Sequence, residues 1–147
     1  ASCATVNANE RAERFAVNSG LGFSAGQGLE MFEWAFGGDY WFTDMISINL
    51  ELGMFAGNGA FLFQFAPRVR FWFDMPVDGL ELFADGGFGY FVGDADDWIM
   101  MFGGGAYWFF LFDNNFGLGS NLDFSINGIS GARFNIQWAI VSAMWRF

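Results

Sequence analysis

The chain has 147 residues, enough for one complete small domain but not for two folded units. Hydrophobic residues make up 54% of it and Phe alone numbers 22, yet no apolar run approaches the roughly 18 residues of a membrane-spanning helix. A net charge of −10, with every basic residue an Arg and no His, excludes a nucleic-acid surface, because phosphates demand a basic one.

High hydrophobicity without a helical span leaves an aggregation-prone soluble domain or a membrane barrel, whose signal is weak in each segment. The absence of Lys favours the barrel, since an acidic soluble domain usually solvates itself with Lys and Glu together. The single cysteine, Cys3, excludes an internal disulfide and a thiolate metal cluster. Ala1-Ser-Cys3 resembles the end of a bacterial lipoprotein signal, but Cys3 is not the first residue, and a plain loose end is the simpler expectation. No signal peptide is visible, which for an exported barrel implies a mature or trimmed chain.

Residues 1–13 are small and polar and read as a flexible lead-in; residues 14–147 read as the barrel. The first strand, about 14–25, sets Phe15, Val17, Leu21 and Phe23 against Arg14, Ala16, Asn18, Gly20, Gly22 and Ser24. Gly26-Gln-Gly28 turns it. The second, about 29–42, sets Phe32, Trp34, Phe36, Tyr40 and Phe42 against Met31, Glu33, Asp39 and Trp41. After Thr43-Asp-Met45, the third (about 46–55) alternates most cleanly, with Ile46, Ile48, Leu50, Leu52 and Met54 opposite Ser47, Asn49, Glu51 and Gly53.

Ala56-Gly-Asn-Gly59 then leads into the most informative stretch, Phe61 to Phe73. Alternate side chains of a strand point to opposite faces. Phe61, Phe63, Phe65, Pro67, Val69, Phe71 and Phe73 therefore share one face, and Leu62, Gln64, Ala66, Arg68, Arg70 and Trp72 the other. The stretch exceeds the roughly 9–11 residues with which a tilted strand crosses a bilayer. The expected orientation is Phe towards lipid and Arg towards the lumen. Pro67 cannot donate to a ladder mid-strand, which predicts a bulge or local break.

The Asp74–Gly79 turn, with Pro76, precedes the fifth strand, about 80–92. Leu82, Ala84, Phe88, Tyr90 and Val92 face out there, and Glu81, Phe83, Asp85, Gly87 and Gly89 face in. Residues 93–97 form an acidic turn. The sixth strand, about 98–111, is apolar on both parities, which leaves its facing open. The seventh, about 116–126, sets Phe116, Leu118, Leu122, Phe124 and Ile126 against Gly117, Gly119, Asn121, Asp123 and Ser125. Residues 127–133 make the longest connection, and the eighth strand runs from Phe134 to Phe147. The sum is an all-β, closed antiparallel up-and-down barrel of eight strands, the even number usual in bacterial barrels.

The ends of all even strands share one rim in such a barrel. They read Tyr40-Trp-Phe42, Phe71-Trp-Phe73, Trp108-Phe-Phe110 and Trp145-Arg-Phe147, an interfacial aromatic girdle made by Tyr40, Phe42, Phe71, Phe73, Trp108, Phe110, Trp145 and Phe147. Phe32, Trp34, Phe61, Trp98 and Phe134 stand near the opposite rim.

Asp39-Tyr-Trp-Phe-Thr-Asp44, Gly79-Leu-Glu-Leu-Phe83 followed by Gly86-Gly-Phe-Gly-Tyr90, and the ending Trp145-Arg-Phe147 occur in an order that resembles the small outer-membrane β-barrel family of opacity proteins and OmpA-type transmembrane domains. The resemblance covers residues 14–147. It implies insertion in a Gram-negative outer membrane, with both termini in the periplasm. It also implies contact with the outer-membrane assembly machinery through the C-terminal strand ending at Phe147. The chain departs from the family in its short outer loops, which puts host adhesion in doubt. It departs also in large apolar residues at inward positions: Trp41, Trp72, Phe83, Trp108, Trp138, Ile140 and Met144. Trp108 thus stands in two sets.

The inward parity collects Arg14, Glu33, Asp39, Glu51, Arg68, Arg70, Glu81, Asp85, Asp123 and Arg146. Eight strands leave an interior that side chains just fill, and buried charges there must pair. The expected arrangement is a plug of Arg–carboxylate bridges with a structural role in the membrane. The same residues would line a narrow ion or small-solute pore if the lumen conducts. A Ser nucleophile needs a His base in the lipid-modifying barrels, and this chain has none, so no enzyme is expected and no catalytic residue assigned. Asp94, Asp96 and Asp97 lack calcium-loop spacing and a closing Glu. Gly86-Gly87 and Gly103-Gly-Gly105 lack the Lys-Ser/Thr of a phosphate loop. No metal, cofactor or nucleic-acid partner is expected; the lipid bilayer is the partner, and the chain is read as a monomer. A soluble lipocalin-like carrier with Phe inside is the remaining alternative, weighed down by the volume so many Phe would occupy.

Overall fold

The computed structural model describes residues 11–26, 29–93, 97–127 and 133–147. Within them the chain forms eight strands: β1 (Phe15–Gly26), β2 (Leu29–Trp41), β3 (Ile46–Gly57), β4 (Ala60–Asp74), β5 (Leu80–Gly93), β6 (Asp97–Leu111), β7 (Phe116–Asn127) and β8 (Arg133–Arg146). Each pairs antiparallel with its neighbour in sequence, and β1 also pairs with β8, so the sheet closes into a barrel. Closure leaves no free edge, and it lets a strand cross a medium that offers no hydrogen bonds. Among the described residues no helix is long and apolar enough to cross a membrane.

Alternation sets the two surfaces. In β4 the outward Phe61, Phe63, Phe65, Val69, Phe71 and Phe73 are 40–50% exposed, whereas Gln64, Ala66, Arg68, Arg70 and Trp72 are at most 2% exposed. Outward apolar side chains continue around the wall, for example Leu50 and Leu52 of β3, Phe102 of β6 and Leu118 of β7. The carrier alternative is therefore overturned, because it requires the Phe face inside. Tight turns fit the hairpins. Asn58 and Gly59 join β3 to β4 with φ of 50° and 75°, the left-handed pair of a type I′ turn whose twist matches the flanking strands.

Two expectations are corrected and a third is narrowed. In β8 the register to both β1 and β7 slips by one residue around Ile140, a β-bulge. Ile140 and Val141 both point outward, so the outward parity changes from even before the bulge to odd after it. Trp138 and Ile140 are consequently exposed, and Ala139 is inside. Trp108 is exposed as well, because β6 turns its even positions out and buries Ile99, Met101, Tyr107 and Phe109. Of the two forms expected at Pro67, a local break is found and not a bulge: Pro67 keeps its register opposite Leu50, and the interruption is confined to the β5 side, where Ala66 and Pro67 have no ladder partners.

The lead-in is anchored where it is described. Arg11 is buried, Glu13 N–H donates to the Trp41 carbonyl at 2.8 Å, and Ala12 N–H donates to Asp44 Oδ1 at 3.0 Å. Residues 1–10, with Cys3, lie outside the described residues, as do those at 27–28, 94–96 and 128–132, where three of the expected turns fall.

Candidate functional site

A belt of charge crosses the middle of the lumen. Arg68 projects from β4 to pair with Glu51 of β3, and its Nη1 lies 2.9 Å from Asp123 Oδ2 of β7 and 3.4 Å from Asp85 Oδ2 of β5. Arg70, next inward on β4, places Nη1 2.8 Å from Asp39 Oδ2 of β2 and Nε 3.3 Å from Asp85 Oδ2, with its guanidinium 4.5 Å from the Phe83 ring centre. Asp39 also accepts from Ser47 Oγ, Asn49 Nδ2 and Asn18 Nδ2 at 2.9–3.1 Å, and Asp123 accepts from Asn121 Nδ2 at 2.9 Å. Glycine makes the room. A Cβ on Gly103 would come within 2.5 Å of Asp123 Oδ1, and one on Gly87 within 2.8 Å of Arg68 Cα.

Towards the end that holds residues 11–14 and Phe147, hereafter the terminal end, the belt rests on an aromatic layer. Trp41, Trp72, Phe83, Tyr107 and Phe109 pack there with Ala16 and Met144. Successive ring centres are 5.3 Å apart for Trp41–Trp72, 5.0 Å for Trp72–Phe83 and 5.9 Å for both Phe83–Tyr107 and Tyr107–Phe109. Trp72 Nε1 donates to Ser47 Oγ at 2.8 Å, tying the layer to the belt.

A second ion cluster caps that layer at the rim. Arg146 Nη1 lies 2.9 Å from Glu81 Oε2, and the guanidinium sits 3.5 Å over Phe109. Arg11 reaches in from before β1: its Nη1 is 2.6 Å from Glu81 Oε1 and 2.7 Å from Asp74 Oδ1, and its Nε donates to the Asp44 carbonyl at 2.6 Å.

The residues expected in one network thus divide. Asp39, Glu51, Arg68, Arg70, Asp85 and Asp123 form the belt, and Glu81 with Arg146 forms the rim cluster. Arg14 is half-buried, and it donates to Asn115 Oδ1 at 2.6 Å and to the Phe147 carbonyl at 3.1 Å. Glu33 is buried, but its Oε2 has no hydrogen-bond partner. Arg11 was missed because it precedes the first strand. The neutral members Asn49, Asn121, Gln64 and Ser142 share the inward parity of the charges on their strands, which is the signal that could have found them; Gln137 stands on the opposite parity from Arg146 and faces in because of the bulge at Ile140.

The opposite end is lined unevenly. Met31, Phe55, Ala66, Phe91, Ile99 and Met101, from β2 to β6, make an apolar cluster there. The wall contributed by β7, β8 and β1 carries Ser125, Gln137 and Ser24 instead. Gln137 Nε2 donates to Gln64 Oε1 at 2.9 Å, bridging the two sides.

The girdle residues lie where the even strands end. Tyr40, Phe42, Phe71, Phe73, Trp108, Phe110 and Phe147 are exposed, and Trp145 is half-buried. Ring contacts link Tyr40 to Phe42, Trp108 to Phe110 and Phe15 to Phe147, with centres 5.1, 5.6 and 6.4 Å apart.

No family model and no curated protein matches the sequence. Solved structures do match the fold. The N-terminal β-barrel domain of Pseudomonas aeruginosa OprF aligns over 92% of this chain and 98% of its own, with a TM-score of 0.66 and 14% identity. Neisserial surface protein A aligns over 90% of this chain and 94% of its own, with a TM-score of 0.65 and 9% identity. A de novo designed transmembrane β-barrel aligns over 95% and 99%, with a TM-score of 0.60 and 12% identity. The chain has the fold of the small eight-stranded outer-membrane β-barrels.

Proposed function

We propose that the chain is an integral protein of a bacterial outer membrane, monomeric, with a structural role in the membrane and a lumen plugged by its own side chains. The observation that carries the plugged lumen is the stack of two blocking layers: the aromatic layer of Trp41, Trp72, Phe83, Tyr107 and Phe109, backed by the Arg68–Arg70 belt. The outward band of Phe, Leu, Val and Ile supports residence in lipid, since exposed apolar area on this scale has no place in water. The fold supports the outer membrane in particular, because closed barrels of this size belong there. Engagement of the assembly machinery by the β8 end, Trp145 to Phe147, belongs to the same reading. So does the absence of catalysis: with no His in the chain, the belt holds no base for a Ser nucleophile.

The test is refolding into detergent followed by transfer to planar bilayers. The expected result is heat-modifiable gel mobility together with electrical silence. Discrete, reproducible conductance steps from the folded protein would replace the plug with a narrow pore lined by the same charges.

A further inference from the structure

Carboxyl groups outnumber guanidinium groups in the middle of the lumen. Glu33, Asp39, Glu51, Asp85 and Asp123 are all buried, and only Arg68 and Arg70 stand among them. Ionised carboxyl groups beyond those the arginines pair are costly in a water-poor interior unless a proton or another cation neutralises them. The surplus is also placed unevenly. Asp39 is saturated by Arg70, Ser47, Asn49 and Asn18. Glu33 Oε2, Asp123 Oδ1, Ser125 Oγ and Gln137 Oε1 have no partner, although all four side chains are at least nine-tenths buried.

These four residues share one inner wall. Asp123 of β7 stands directly opposite Gln137 of β8, and Ser125 is the next inward residue on β7. Glu33 of β2 faces Gly22 of β1, which in turn faces Ala139 of β8, so only small side chains lie between Glu33 and that pair. Glu33 is within electrostatic reach of Asp123, Glu51 and Arg68. This is also the wall that stays polar at the end opposite the termini, where Ser24 continues the track beyond Gln137. The aromatic layer closes the track below.

We propose that this wall is a seat for a monovalent alkali cation, Na⁺ or K⁺, bound by Glu33 and Asp123 with Ser125 Oγ and Gln137 Oε1, and entered from the end opposite the termini. All four are hard oxygen donors, the type that binds such ions. Gln137 spends its amide N–H on Gln64, and its carbonyl oxygen is left without a partner. Two carboxyl groups with two neutral oxygens suit a single positive charge better than a divalent ion. The seat rests on closure of the lumen at the terminal end, which bilayer conductance tests separately.

The full chain, refolded in neutral detergent, is unfolded with urea in NaCl, KCl or choline chloride at matched ionic strength; choline is too large to enter. Above the dissociation constant, each tenfold rise in the bound alkali ion should lower the unfolding equilibrium constant about tenfold, with no such response to choline. E33Q and S125A should each abolish the response. Crystals soaked in a thallous salt should show anomalous density beside Glu33, Asp123, Ser125 and Gln137. Equal unfolding in all three salts would overturn the seat, as would a response that survives both substitutions or thallium density elsewhere in the lumen only.

Discussion

The two ends of the lumen are made by the same eight strands and lined by different chemistry. At the terminal end five aromatic rings stack across the bore, and Arg11 and Arg146 converge on Glu81 beneath them. At the other end, among the described residues, an apolar cluster lines the β2–β6 side, and Ser125, Gln137 and Ser24 line the remaining wall. On the reading proposed above, one tightly packed layer is enough to plug the bore, and the opposite half carries unpartnered oxygens.

The charge belt between the two ends gives the largest expected effect. Arg68→Leu removes the partner of Glu51 and Asp123 and weakens that of Asp85. It should cost about 3–5 kcal/mol in urea unfolding, or prevent refolding altogether. Trp72→Ala strikes the aromatic layer and should cost about 3–5 kcal/mol as well. It should also bring measurable conductance in planar bilayers, whereas Met101→Ala at the opposite end should destabilise by about 2–3 kcal/mol and leave the bilayer silent. If both variants conduct, the contrast between the ends fails. Arg11→Ala should cost only about 1–2 kcal/mol, because Asp74 is partly solvated and Glu81 keeps Arg146. Its signature should be earlier loss of heat-modifiable mobility on warming. The smallest effect, about 1 kcal/mol, is expected for Asn58→Ala, which puts an ordinary side chain at a left-handed turn position.

Much of this fold was legible from alternation, because a residue's face depends only on its neighbours along the strand. The eight strands and the inward charges followed from that local rule, as in β3, where Ser47, Asn49 and Glu51 are buried and Leu50 and Leu52 exposed. The rule fails where both parities are apolar. Trp108 in β6 was therefore ambiguous, and Trp138 and Ile140 in β8 were placed on the wrong side of a bulge whose parity switch is carried by Gln137 and Ser142 rather than by any charge. Partner choice was not legible at all. That Arg146 takes Glu81, or that Arg68 spans the bore to Asp123, depends on register and diameter, which couple residues far apart in the chain. Arg11 escaped for a different reason: it acts from a segment with no periodicity.

The bulge at Ile140 bears on how the chain tolerates changes in length. Nearly everywhere else in the wall, losing one residue would turn the rest of a strand inside out, sending arginines to lipid and phenylalanines into the bore. Without Ile140, Ala139 would still face in, Val141 out and Ser142 in, and Ala139 and Val141 would become sequence neighbours opposite Gly22 and Leu21. The C-terminal strand thus holds a place where a deletion is silent in register, and a barrel lacking that single residue should still close with the same faces in and out.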